Sequence, residues 1–330
     1  MKGRNIFVFA VILLTTVIGV LLVKSRPVIG DEHSQTPSPP AWKAVPQDGI
    51  ITASGRYYLE QDMQVDRSIG IEVNADDVTL DLRGHALRFT GLPRDGAYGI
   101  VANNRRDLTV TNGAIGGFWF NIHCTQNEGL RIRDVSFDDI PYLAVNVAQS
   151  KNVAISHNAF ANFRYDLPKA KDSTYVIGIN IGAEDVVISN NRFAAQPKNG
   201  AAGVDVETVF VLFSANVSKD CVVAHNDMAA SEVLPRSYGV WVATDAQATI
   251  AHNHVRNMKY AVCLASDATA VVCFNRFVAE TTPETAAPIE TIGISAPAPK
   301  DIFDIKNAFE GVSIPSVTPS SSRPRRVSGG

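Results

Sequence analysis

The 330-residue sequence predicts an all-β solenoid, a coil of short parallel strands, and three observations carry that prediction. An alternating motif recurs along the body, its base spacing is about 22 residues, and no stretch between copies has helical periodicity. The motif is plain in LTVTNGAI, LRIRDVSF, VAISHNAF, VVISNNRF, VVAHNDM, TIAHNHV and VVCFNRF. Gly113, Val135, Asn158, Asn191, Asn226, Asn253 and Asn275 occupy equivalent places, at intervals of 22, 23, 33, 35, 27 and 22 residues, so the longer intervals contain insertions. Two or three short strands per unit leave no helix to carry a βαβ crossover. They can instead stack rung upon rung at about 4.8 Å, around a continuous apolar interior.

Taken in chain order, residues 1–26 form a segment apart. Lys2 and Arg4 precede an uncharged apolar run over residues 6–23, closed by Lys24 and Arg26. The run is long enough to span hydrocarbon as a transmembrane helix. The stretch after it, KSRPVIGDEH, is not an A-x-A-like cleavage site, so an uncleaved anchor is favoured over a signal peptide. Such a chain is a single-pass protein of the cell membrane, its short N-terminus inside and its body in the periplasm or outside the cell. Residues 27–46, rich in Pro, Ser and Gln, read as an extended tether. The coil occupies 47–300, and 301–330 is a C-terminal segment whose tail, SVTPSSSRPRRVSGG, has little to bury.

Composition excludes some partners. With 30 Lys and Arg against 33 Asp and Glu, and a net charge of -3, no bulk attraction to nucleic acid is expected. Cys124, Cys221, Cys263 and Cys273 show no CxxC or Cys/His metal spacing and fall on unlike columns of the repeat, so neither a bridge nor a metal site is expected. No P-loop, dinucleotide glycine motif, HExxH or nucleophile elbow occurs in context, and no cofactor is expected.

Within each unit a second strand precedes the motif: YGIVA, FNIHC, LAVNV, IGINI, GVDVE, YGVWV and YAVCL, with GIEVNADDVTLDLRGHALRF as an earlier unit. The repeated asparagines have a structural reading. Asn tolerates a left-handed backbone, and its amide can bond along a stack of identical neighbours. Asn158, Asn191, Asn226, Asn253 and Asn275 are thus expected to form a ladder inside a bend.

The repeat resembles the right-handed parallel β-helix proteins of the pectate-lyase-like superfamily, in particular those with NosD-like repeats, over roughly residues 51–297. GINIGAEDVVISNNRF carries the likeness best. The resemblance implies a right-handed coil and a leaning toward carbohydrate. The motifs of polygalacturonases, alginate epimerases and calcium-dependent pectate lyases are absent, so no family catalytic residue is carried over.

Strand alternation then sorts residues by face. Ile71/Val73, Ile100/Ala102, Ile122/Cys124, Val145/Val147, Ile179/Ile181, Val204/Val206, Val240/Val242 and Val262/Leu264 are expected inside. The residues between them form an outer column: Glu72, Val101, His123, Asn146, Asn180, Asp205, Trp241 and Cys263. Glu207 joins Asp205 on the same face, while Gly178, Gly203 and Gly239 leave the surface open. The insertions at 164–174, 194–202 and 229–237 precede these strands and bring Arg164, Tyr165, Lys169, Lys171, Lys198 and Arg236 toward the track as walls.

Amides, carboxylates and an indole suit sugar hydroxyls and pyranose faces. In a lyase or epimerase, His123 is the candidate base, with Asn146 and Asn180 holding the uronate. In an inverting glycosidase, Asp205 and Glu207 are acid and base. Arg164, Tyr165, Arg236 and Trp241 are the remaining substrate-binding candidates. Against the catalytic readings stands a noncatalytic module that holds a glycan or scaffolds an envelope assembly or export complex. His85, in LRGHAL, reads as locally packed, and Arg131 and Arg133 as a solvated outer pair on a second sheet. Protein partners are left open.

Overall fold

A computed structural model describes residues 41–92, 96–163, 173–195, 207–214, 220–265, 267–279, 292–295 and 301–312. They fall within one compact unit, Pro40–Gly330. Among them every strand pairing is parallel and no helix occurs. Nor is any described helix long and apolar enough to cross a membrane; residues 6–23 lie outside the described residues.

Each rung contributes strands to three sheets. The front sheet stacks Ile50–Ile51, Ile69–Val73, Tyr98–Asn103, Phe120–Thr125, Leu143–Ala148, Ser173–Asn180 and Glu207–Phe213. It continues through the C-terminal parts of Asp227–Val242 and His254–Leu264 to Ile292–Ser295. A second sheet runs from Trp42–Ala44 to Asp301–Ile305, and a third from Met63–Val65 to Ala308–Glu310. The coil therefore has strands inside the stretches read as tether and C-terminal segment.

The interior follows the alternation. Ile71, Ile100, Ile122, Val145, Val240 and Val262 are fully buried, as are their partners two residues on. Inside the coil, Phe137, Phe160 and Phe193 of the third sheet stack at centroid distances of 4.8 and 4.8 Å, and Phe210 of the front sheet continues the stack at 5.3 Å. Burying rings of this size supplies much of the driving force for coiling.

The asparagine ladder is present. Asn158, Asn191, Asn226, Asn253 and Asn275 are buried, and each donates Nδ2 to the Oδ1 of the next, at 2.9 to 3.1 Å, ending on Asn307. Each Nδ2 also donates to a backbone carbonyl one rung back, as from Asn226 to Ile188 at 3.0 Å. One detail is corrected. The left-handed residue is the one before the asparagine: His157, Asn190, His225, His252 and Phe274 have φ of 58°, 56°, 58°, 56° and 55°. The ladder residue itself turns inward, and its predecessor makes the corner.

Two rungs differ in register from the sequence reading. Asn146 pairs with Gly178, and Ala148 with Asn180, so the inner pair is Ile177/Ile179 and Ile181 is 57% exposed in the following turn. Three isoleucines at alternate positions fit either register. The next strand is Glu207–Phe213, with Val211 and Phe213 as the inner pair, in place of 203–207. This strand is apolar on both faces, which hides its alternation. The stretch 229–237, read as an insertion, lies within the continuous strand Asp227–Val242, which absorbs it as register shifts against His254–Leu264.

None of the four cysteines is joined in a disulfide. Cys124 lies inside the coil, where burial pushes its thiol up to about 12. His85 Nδ1 approaches Asp62 at 3.4 Å; Arg131 and Arg133, on the outer face of the second sheet, pair with Asp107 and Asp134 at 3.7 and 2.8 Å.

Candidate functional site

The front sheet presents two outward columns. One reads Tyr98, Phe120, Leu143, Tyr175, Val209, Tyr238 and Tyr260 along the stack; the other reads Val101, His123, Asn146, Gly178, Leu212, Trp241 and Cys263. Aromatic contacts run along the first. Tyr98 stacks on Phe120 at 5.2 Å and Tyr238 on Tyr260 at 5.0 Å, while Trp241 leans on Tyr238 at 4.9 Å. Between Tyr98 and Ser295 the front-sheet parts of the described strands are poor in charge: Glu207 opens one strand, and Arg236 and Lys259, the latter with Nζ 5.9 Å from the Tyr260 ring, lie at the edge of the next two.

Gly178 organises the middle of this face. It lies opposite Asn146, and its missing side chain leaves space that two neighbours fill: a methyl there would sit 3.3 Å from Leu143 Cδ1 and 3.4 Å from Asn180 Nδ2. Asn180, two residues further on, folds back through that space and donates Nδ2 to Asn146 Oδ1. Asn146 Nδ2 in turn meets His123 Nδ1 at 2.8 Å. Three side chains from three rungs thus form one hydrogen-bonded chain, even though Asn180 left the expected column.

The polarity of this chain sets the chemistry. With Asn146 donating to Nδ1, the His123 proton sits on Nε2, and the ring offers a donor at its far edge. A His123 base acting through Nε2 needs both amides reversed. Tyr98 and Phe120 press on the imidazole at 5.1 and 5.3 Å, and burial holds its pKa below the ordinary range, so the ring is neutral at pH 7.

Above the chain lies a hollow of about 440 Å³, lined by Phe120, Tyr142, Leu143, Asn146, Tyr175, Gly178, Asn180 and Leu212. Tyr142 stacks on Trp119 at 5.0 Å and meets Phe120 and Tyr175 edge-on at 5.6 and 5.9 Å. The floor is polar, from two carboxamides, and the walls are aromatic and aliphatic. The chain leaves the described structure after Phe163 and after Ala195, returning at Ser173 and Glu207, so both segments join at the start of strands beside the hollow.

Of the expected residues, the fold brings together His123, Asn146 and Asn180. His123 stands behind Asn146 rather than in the hollow's lining. Trp241 keeps its column, but Gly178 and Leu212 separate it from Asn146. Glu207 opens its strand opposite Ser173, with its side chain outside the described residues, and Leu212 takes the track position assigned to Asp205. Arg236 precedes the buried Ser237 at the front edge of its strand and is not in the lining. Asp205, Arg164, Tyr165, Lys169, Lys171 and Lys198 lie outside the described residues. No group of three or more His, Cys, Asp or Glu among the described residues is placed to hold a metal ion.

Sequence reasoning missed Phe120, Tyr142, Tyr175, Leu143 and Leu212. A signal existed. From the inner front residue to the ladder position is 13 residues in the rungs of Ile122, Val145, Val240 and Val262, and 14 and 15 in those of Ile177 and Val211. Counting back 13 from Asn226 leads to Phe213, inside this strand and next to Leu212.

Coil and face together define a class: a parallel β-helix whose front sheet bears an aromatic strip and an amide-floored hollow. The chain belongs to the right-handed β-helix family, whose model, "Right handed beta helix region", matches residues 69–277. No curated protein matches it significantly. Among solved structures, it is similar to an alginate lyase from Paenibacillus sp. at 11% identity, covering 78% of this chain and 92% of that one, with a TM-score of 0.45. It is also similar to the surface adhesin PfbA of Streptococcus pneumoniae at 14% identity, covering 80% and 84%, with a TM-score of 0.39.

Proposed function

We propose that this protein binds a polysaccharide of the cell envelope or the extracellular matrix along its front sheet. The hollow carries the reading: aromatic walls around two carboxamides suit the apolar face and the hydroxyls of a pyranose, and a volume of about 440 Å³ accommodates a sugar unit. In the same reading residues 6–23 anchor the chain in the cytoplasmic membrane as a single span, with the coil in the periplasm or outside the cell. The charge-free run and its Lys and Arg flanks support that placement.

A second reading, a lyase or epimerase, has one observation behind it. The Asn180–Asn146–His123 chain holds the histidine in one tautomer, and with both amides reversed that tautomer would leave Nε2 open as a base. The glycosidase reading with Asp205 and Glu207 gains no support, since Leu212 occupies their place on the track.

Glycan affinity electrophoresis of the full chain tests the first reading. Tyr175→Ala should weaken retention by roughly tenfold or more, the loss of one buried aromatic anchor. Trp241→Ala should weaken only the longer glycans that reach it. Unchanged retention in both variants would sink the proposed surface. Incubation with uronate polymers tests the second, the expected signal being the absorbance of unsaturated products, abolished in His123→Gln.

A further inference from the structure

The hydrogen-bonding capacity left over in the hollow is specific. Asn146 spends Oδ1 on Asn180 and one N–H on His123; Asn180 spends one N–H on Asn146. What remains for a ligand is the Asn180 carbonyl oxygen with a second N–H beside it, and one further N–H from Asn146. We infer that the hollow selects an N-acylated sugar, a 2-acetamido pyranose, whose amide N–H donates to the Asn180 carbonyl and whose C=O accepts the spare Asn146 N–H, while its methyl packs on Leu143 and Leu212. The inference rests on the glycan-binding reading and names the substrate class for that site.

Three features converge on it. First, a trans acetamido group carries its C=O and N–H on opposite sides, so it can accept from Asn146 and donate to Asn180 across a floor whose spare groups include both a donor and an acceptor. A uronate carboxylate offers acceptors alone. Second, the eight described lining residues include no charged side chain, so a carboxylate would be desolvated there with no counter-charge, which is costly. Third, Leu143 and Leu212 flank Gly178, placing apolar surface within a residue's width of the amides. A plain hydroxyl would satisfy one amide group and leave that surface uncovered; a methyl covers it.

Gly178 is then a specificity-determining position. Its missing Cβ leaves room above the floor, since a methyl would crowd Leu143 at 3.3 Å and touch the Asn180 amide at 3.4 Å.

The test uses the full chain in detergent and saturation-transfer NMR with calorimetry. The ligands are tetramers of β-1,4-linked N-acetylglucosamine and of N-acetylgalactosamine, cellotetraose as the hydroxyl counterpart, and tetragalacturonate as the uronate. The expected result is at least tenfold tighter binding of one acetamido tetramer than of cellotetraose, with saturation strongest at the acetyl methyl. Asn180→Leu should erase that preference while retaining the residual affinity for cellotetraose, which also shows that the variant is folded. Equal affinity for acetamido and hydroxyl tetramers overturns the inference and leaves the glycan surface standing. Tightest binding of the uronate overturns it in favour of the lyase reading. Binding of none of the four overturns both the inference and the glycan-binding reading.

Discussion

His123 couples a titration to the site. Its ring is packed by Tyr98 and Phe120, its Nδ1 is met by Asn146, and burial depresses its pKa from 6.5. As pH falls, the unfolded chain takes up this proton first. Stability is therefore full above about 6.5 and is lost as pH drops through that value, until the folded ring protonates too. His123→Gln removes this contribution. Thermal melts between about pH 7 and 5 should show a shallower fall in Tm than the parent. His252 and His254 are depressed in the same direction, so some slope remains, and the difference between the two curves is the readout. An identical slope would mean that His123 titrates in the folded protein as it does unfolded. Gly178→Ala acts on the same chain from the other end. Its methyl crowds both Leu143 methyls at 3.3 Å, touches the Asn180 amide at 3.4 Å and narrows the hollow, and ligand affinity should fall while stability changes by no more than about 1 kcal/mol, as for a mild overpacking at a half-open site. At this scale the sequence was partly legible. His123 and Asn146 announced themselves as polar residues between buried pairs; Asn180 reached them by folding back past Gly178, and no alternation rule encodes that.

The ladder asparagines act as an element rather than as single residues. Asn226 receives the backbone N–H and Nδ2 of Asn191 and gives Nδ2 to Asn253 and to the Ile188 carbonyl, all inside the coil. Asn226→Ala leaves several of these groups buried without partners, and should cost about 2–4 kcal/mol in chemical denaturation, from the penalty for buried unsatisfied polar groups. Asn226→Asp should fare no better, because it loses both donors and sets a carboxylate against Asn253 Oδ1. A denaturation midpoint unmoved in either variant would show that the rungs are held by packing alone. At the neighbouring corner Phe274 is a bulky residue at φ 55°, 44% exposed, where an earlier rung has Asn190 at 56°. Phe274→Asn should relieve about 1 kcal/mol of left-handed penalty but lose the ring's stack on His252 at 5.0 Å, so the denaturation midpoint should move little. The ladder was legible because its residue type recurs with a fixed neighbour pattern. The front strands of the inserted rungs were not, since GINI permits two registers and VFVLF shows apolar residues on both faces.

Across the molecule the three sheets divide the labour. Outward charges on the second and third sheets meet partners within the coil, as in Lys151 with Glu184 at 2.7 Å and Arg276 with Glu310 at 2.9 Å, while the described front-sheet strands are nearly free of charge. Each rung touches only its neighbours, so stability is expected to behave as a one-dimensional sum with weaker ends. Phe193 and Phe309 test this, because both occupy the same kind of position in the third sheet. Phe193 is fully buried, with Phe160 on one side at 4.8 Å and Phe210 on the other at 5.3 Å. Phe309 is partly buried, and its ring contact among the described residues is with Phe277, at 5.3 Å. Phe193→Ala should cost about 3–5 kcal/mol, the range for emptying a packed aromatic site. Phe309→Ala should cost less than half as much, because the last rung can relax into the space. Native-state hydrogen exchange should agree, with amides of Leu143–Ala148 and Glu184–Ser189 opening only with global unfolding and those of Ala308–Glu310 opening locally. Equal costs for the two substitutions, with uniform protection along the coil, would mean that the stack unfolds as one block. In that case the front-sheet hollow, near the middle of the stack, would gain no rigidity from its position.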